Sequence, residues 1–155
     1  MHERTFTPTR SCVWTAARFA AHSMPPRVLV VDDFIDSADA LAAFLATSGF
    51  DTRVAYNGCD ALKVANEWHP DSVVLDIAMP GVSGLAVART LRESPGTACV
   101  PLLAYTAYET GDNYTELRAG GFDGVCAKPI DPLMVVEILT TLLAMPALRR
   151  GYYHS

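Results

Sequence analysis

Residues 28–33 read VLVVDD, an apolar run that stops abruptly at two acids. Four consecutive apolar residues without polar alternation describe a strand covered on both faces. The same grammar returns three times, as VVLD at 73–76, LLAYT at 102–106 and VCAK at 125–128. Between these runs the apolar residues fall three and four apart. Ala38, Leu41, Phe44 and Leu45 make one helical stripe, with Asp36 as the expected N-cap and Gly49 as the stop. Thr52 to Tyr56 is a weaker strand. After the turn at Asn57-Gly58, Ala61, Val64, Ala65 and Trp68 make a second helical stripe, closed by His69-Pro70. A third helix starts near Gly84, buries Val87, Ala88 and Leu91, and breaks at Pro95-Gly96. A fourth covers residues 109–119 before Gly120-Gly121, and a fifth runs from its cap, Asp131, to about Ala144. Five strands alternating with five helices predict an α/β fold: a doubly wound, five-stranded parallel sheet with helices on both faces.

The 155 residues are 50% hydrophobic and 19% charged, enough apolar material for one domain with its own core and too much for a wholly disordered chain. The net charge of −5 argues against a nucleic-acid partner. The charge is uneven: Arg4, Arg10 and Arg18 stand against Glu3 in residues 1–26, leaving about −7 for the rest. No apolar run reaches the roughly 18 residues that a membrane span needs, so no membrane insertion is expected. Cys12, Cys59, Cys99 and Cys126 have neither C-x-x-C nor zinc spacing and read as reduced, mostly buried thiols of a cytoplasmic protein. Residues 1–26 end in Met24-Pro25-Pro26 and read as an extension, disordered or loosely docked. Ser11 could cap a short helix within it, and Met24 is a candidate start. Residues 27–148 form the domain and 149–155 a solvated tail.

The polar residues that close the strands are Asp32, Asp33, Asp76, Thr106 and Lys128. All fall at carboxyl ends of predicted strands, the edge at which open parallel sheets bind ligands. Carboxylates converging there repel one another, and either a pKa rises or a cation is recruited. Hard oxygen donors suit Mg²⁺, which keeps much of its hydration. With the Lys128 ammonium and the Thr106 hydroxyl alongside, such a site is arranged to stabilise phosphoryl oxygens. The plainer alternative is a salt-bridge cluster that only settles loop ends.

VLVVDDF at 28–34, VVLDIAMPGVSG at 73–84, LLAYTAY at 102–108 and VCAKPI at 125–130 resemble, in order and spacing, the receiver domains of bacterial-type two-component response regulators. The resemblance covers about residues 26–148. It implies the flavodoxin-like strand order 2-1-3-4-5. It implies that Asp76 is the phosphoacceptor, that Asp33 and Asp76 bind Mg²⁺ directly and Asp32 through water, and that the backbone carbonyl of Ala78 is a further ligand. Thr106 would hydrogen-bond the aspartyl phosphate, Lys128 would contact a phosphoryl oxygen, and Lys128-Pro129 would be a cis peptide. The phosphodonor would be a phosphohistidine of a sensor histidine kinase or a histidine phosphotransfer protein. With only residues 145–155 after the last helix, a stand-alone cytoplasmic receiver is expected. It would not be an enzyme beyond catalysing its own phosphorylation and dephosphorylation. Its output would be a downstream protein target or a homodimer, engaged through the fourth helix, fifth strand and fifth helix. That last helix carries Leu133, Met134 and Val136 beyond the stripe needed for the sheet.

Two departures from the family pattern stand out. Val125 occupies the place, three residues before the lysine, where many receivers carry Tyr or Phe; Tyr105 and Tyr108 are the rings nearby in sequence. Ala78 and Tyr108 offer no acid or amide to orient a hydrolytic water, which implies slow phosphoryl loss. A haloacid-dehalogenase-type phosphatase would need a second Asp where Ala78 stands. A receiver-like binding scaffold without phosphorylation is the remaining alternative.

Overall fold

The computed structural model describes residues 11–13, 21, 23–106, 112–128 and 131–143. In chain order the elements are β1 (Ser11–Val13), β2 (Arg27–Val31), α1 (Ile35–Thr47), β3 (Asp51–Ala55), α2 (Gly58–Trp68), β4 (Ser72–Leu75), α3 (Gly84–Glu93), β5 (Leu102–Thr106), α4 (Asp112–Ala119), β6 (Gly124–Ala127) and α5 (Pro132–Leu143). Strands β2 to β6 are parallel, and the sheet runs β3-β2-β4-β5-β6-β1. Counted from Arg27, the parallel strands stand in the order 2-1-3-4-5, as the receiver-domain resemblance implies. The chain steps outward from β2 to β3, then back past it to β4, so the crevice opens between the ends of β2 and β4.

Strands β2, β4, β5 and β6 are covered on both faces, whereas the edge strand β3 leaves Asp51 and Arg53 exposed. Leu29, Val31, Val73, Leu75, Leu102 and Val125 face a core shared with α2, α3 and α4, through Ala61, Ala65, Val87, Leu91 and Leu117. Val28, Val30, Val74, Leu103 and Cys126 face the other, shared with α1 and α5 through Leu41, Leu45, Val135 and Leu139. The period of two along each strand divides the residues between the two cores.

Four expectations are corrected. Ser11 does not cap a helix: Ser11–Val13 pairs antiparallel with β6, Ser11 opposite Cys126 and Val13 opposite Gly124, as a sixth strand. The outer edge of β6 offers unpaired backbone groups, and three extended residues satisfy them. Asp36 lies in the first turn of α1 rather than at its N-cap, which is Phe34. The Asp32 carboxylate accepts from the Phe34 amide at 3.0 Å and closes the preceding turn, so the helix begins earlier. Ala42, not Phe44, completes the buried stripe of α1. The cysteines are not mostly buried: Cys126 is, but Cys59, in the first turn of α2, and Cys99, in the turns before β5, are exposed.

Other signals hold. Asp131 caps α5, its carboxylate accepting from Leu133 N–H at 3.0 Å. Val135, Ile138, Leu139 and Leu142 are buried, with Leu143 added. Leu133 is exposed, whereas Met134 and Val136 pack at the margin of the α1/α5 core. The Lys128-Pro129 peptide, Tyr108, the Thr106 side chain and the 149–155 tail lie outside what is described.

Candidate functional site

Backbone pairing continues past the ends of two strands and sets the acids in place. Asp32 N–H donates to the Ala55 carbonyl at 3.2 Å, and Asp76 N–H to the Val31 carbonyl at 2.9 Å. Each acid is therefore held one step beyond its strand, on neighbouring strands either side of the crevice. Asp33 follows Asp32 into the exposed turn. Carboxylate oxygens of Asp32, Asp33 and Asp76 come within 4.8 Å of one another, with Asp32 and Asp76 buried and Asp33 exposed.

Lys128, one residue past β6, answers from the other side. Its Nζ donates to Asp32 Oδ2 at 2.9 Å and stands 3.5 Å from Asp76 Oδ2. The remaining oxygens have backbone donors. Asp32 Oδ1 takes the Phe34 amide, and Asp76 Oδ1 takes the Ala78 amide at 3.0 Å.

The two buried acids differ in their electrostatics. Burial opposes ionisation of Asp32, but the Lys128 ammonium and the Phe34 amide outweigh it and hold the carboxyl below its usual range. For Asp76 burial wins. The Lys128 charge and the Ala78 amide only partly offset it, Asp32 adds to the rise, and the pKa is pushed up to about 6. Burial pulls Lys128 down, yet the hydrogen bond to Asp32 and both carboxylate charges hold it above the ordinary lysine value. The pocket thus holds a committed anion, Asp32, and a carboxylate, Asp76, whose charge is poorly compensated.

Of the residues singled out in the sequence, Asp32, Asp33, Asp76 and Lys128 converge, and Thr106 ends β5 at the same sheet edge. Ala78 is adjacent, and the contact seen there is its amide on Asp76. Two glycines complete the local structure without a chemical signature of their own. A Cβ on Gly84 would collide with the Asp76 carbonyl and come within 2.7 Å of Ile77 Cα; a Cβ on Gly58 would come within 2.7 Å of Val82 Cβ. Absent side chains let α3 and α2 press against the segment that follows Asp76. The Gly84 amide donates to the Ile77 carbonyl at 3.1 Å and closes that segment.

The donor set is chemically suited to a small hard cation. All three side chains offer oxygen, one of them is open to water, and among the described residues no sulfur or imidazole joins the cluster.

Comparison with known proteins shows the family. The response regulator receiver domain family matches residues 28–140. The polar-differentiation response regulator DivK of Brucella anthropi is 31% identical over 120 residues, covering 77% of this chain and 98% of DivK. The DNA-binding response regulator MtrA of Mycobacterium tuberculosis is 40% identical over 114 residues, 74% of this chain but 49% of MtrA. Among solved structures, the Vibrio cholerae chemotaxis protein CheY4 superposes with a TM-score of 0.74 at 26% identity, covering 78% of this chain and all of that one. The Francisella response regulator 1452 receiver domain does so with a TM-score of 0.70 at 28% identity, over 76% of this chain and 95% of its own.

Proposed function

The chain belongs to the response regulator receiver domain family, and on that footing we propose that it is a phosphorylation switch whose phosphoacceptor is Asp76. The observation that carries this reading is the setting of Asp76: buried at a strand end, poorly compensated, and 3.5 Å from a lysine ammonium. An Asp76 carboxylate oxygen attacks phosphorus of a phosphohistidine. The phosphorus–nitrogen bond breaks, its electron pair stays on the imidazole, and an acyl phosphate forms. Lys128 meets a phosphoryl oxygen, and the Thr106 hydroxyl donates to another.

The acidic cluster fits Mg²⁺, which Asp33 and Asp76 would hold directly, with Asp32 assisting through water and the Ala78 carbonyl as a further ligand. When bound, Mg²⁺ supplies positive charge against the phosphoryl oxygens. The phosphodonor is a sensor histidine kinase or a histidine phosphotransfer protein, and the setting is the cytoplasm. Among the described residues no helix is long and apolar enough to cross a membrane. Output passes to a downstream protein target, or to a second copy of the chain, through α4, β6 and α5.

Intact mass after treatment with acetyl phosphate and Mg²⁺ tests the reading. Wild type should gain one phosphoryl group and Asp76→Asn none. No gain in wild type would favour the unphosphorylated binding scaffold instead, and a gain in Asp76→Asn would move the acceptor elsewhere.

A further inference from the structure

Lys128 has a third neighbour besides its two carboxylates. Its Nζ stands 5.1 Å from the centre of the Tyr105 ring, within the distance at which an ammonium is drawn to an aromatic face. The strand register explains the meeting. Tyr105 pairs with Cys126 in the β5–β6 ladder. Positions two apart along a strand share a face, so Lys128 leaves the end of β6 on the side where the ring already lies. The ring is half-buried and packs on the α1/α5 core with Leu103 and Cys126 among its members. It is therefore anchored, whereas a lysine stem is flexible and does not hold its own charge in one place. Val125, by contrast, faces the opposite core and is fully buried.

We propose that Tyr105 is a positioning residue for Lys128: its anchored ring holds the ammonium between Asp32 and Asp76, where it meets the incoming phosphoryl oxygens. The kinetic consequence rests on the phosphoacceptor reading above, whereas the lysine–ring geometry can be read without any phosphorylation.

Lys63 and Lys128 are the two lysines of the chain, which makes the geometry accessible by nuclear magnetic resonance of protein carrying ¹³C-labelled lysine. A lysine end over an aromatic face is shifted by the ring current. One of the two Cε–Hε signals should be displaced from the free-lysine position in wild type and in Tyr105→Phe. It should return to that position in Tyr105→Leu, and in Tyr105→Met should leucine disturb folding. With phosphoramidate as donor, Tyr105→Leu should lower the maximal phosphorylation rate about three- to tenfold, with half-saturation little changed, and Tyr105→Phe should restore the rate to within about twofold. In a Lys128→Met background the leucine substitution should cost nothing further. Lysine signals indifferent to the ring, or the same rate loss with and without Lys128, would overturn the proposal. A wild type that shows the displaced lysine signal but takes no phosphoryl group would leave the ring geometry standing and defeat the phosphoacceptor reading.

Discussion

Lys128 donates to Asp32 across the top of the sheet, Nζ to Oδ2 at 2.9 Å, reaching from the end of β6 to the end of β2 over two intervening strands. A single side chain thus bridges most of the width of the parallel set. The same contact means that, before any phosphoryl group arrives, the lysine already has a partner. On the phosphoacceptor reading proposed above, the phosphoryl oxygens would have to draw it away from Asp32, or share it.

Removing that bridge should be felt in the metal-free protein. Lys128→Met leaves Asp32 and Asp76 buried without their cation, and an uncompensated buried charge costs several kcal/mol. Because the lysine is partly exposed, we expect a loss nearer 1–3 kcal/mol at neutral pH, read by urea denaturation with a chelator present. Asp32 is held below its usual pKa, so its contribution is present above about pH 4 and fades as acid protonates it. The deficit of the variant should therefore shrink towards pH 3.5. Equal stability of variant and wild type at pH 7.5 would contradict the assignment.

Asp76 has the opposite sign. Its folded pKa, about 6, lies above the unfolded one, so the folded chain binds the extra proton between roughly pH 4 and 6. The burden of the buried charge is absent in acid and is fully imposed as pH rises past 6. Asp76→Asn keeps the acceptor for the Ala78 amide while removing the charge. It should raise metal-free stability by on the order of 1–3 kcal/mol at pH 7.5 and by little at pH 4.5. Thermal melts at the two pH values check this, and a gain larger in acid would refute it.

Asp33 is exposed and outside the lysine bridge, so Asp33→Ala should leave the fold intact. Its cost should be confined to the cation: weaker Mg²⁺ binding by about tenfold or more, and slower phosphorylation at low Mg²⁺. Calorimetric titration and rates against Mg²⁺ concentration measure both. Unchanged Mg²⁺ dependence would remove Asp33 from the metal site.

Arg92 works at the other end of the sheet. Its guanidinium makes five hydrogen bonds, to the carbonyls of Ala98, Val100 and Gly121 (twice) and to Asp123 Oδ2. It thereby joins the end of α3 to the approach to β5 and the turn after α4. Arg92→Ala should cost about 2–4 kcal/mol, and Arg92→Lys should recover only part, since an ammonium cannot match the fork. Denaturation midpoints read the loss. The phosphorylation rate of the folded fraction should stay at the wild-type value, because nothing in this network touches the acidic cluster.

The contrast between Arg92 and Asp76 shows what a sequence reveals. Asp76 interrupts an apolar run, so burial and acidity are visible together, and three more strands repeat the signal at the same edge. Arg92 sits in the last turn of an amphipathic helix, where a solvated arginine is the ordinary case. Four of its five bonds go to backbone carbonyls, which every residue has, and no side-chain pattern marks them. Ser11–Val13 was hidden for a similar reason: three residues carry no period, and only the open edge of β6 gives them a place. The cap of α1 was misplaced because Asp36 is a good cap by type, while the turn is closed by Asp32 four residues earlier. Tyr105 and Lys128 meet through register, which depends on how two strands align rather than on either strand alone.

The two rims of the sheet are kept from sticking by different means. At β3 the outward residues Asp51 and Arg53 present opposite charges to water, so another strand laid against that rim would have to accommodate both. At β6 all four residues are buried, none is charged, and the protection is a borrowed strand, β1. A chain trimmed to begin at Met24 would keep the acidic pocket and its lysine, yet bare the hydrogen-bonding rim of an apolar strand. Such a trimmed protein should be colloidally poor: the eleventh to thirteenth residues lie along the sheet as a hem that would keep the fabric from catching on its neighbours.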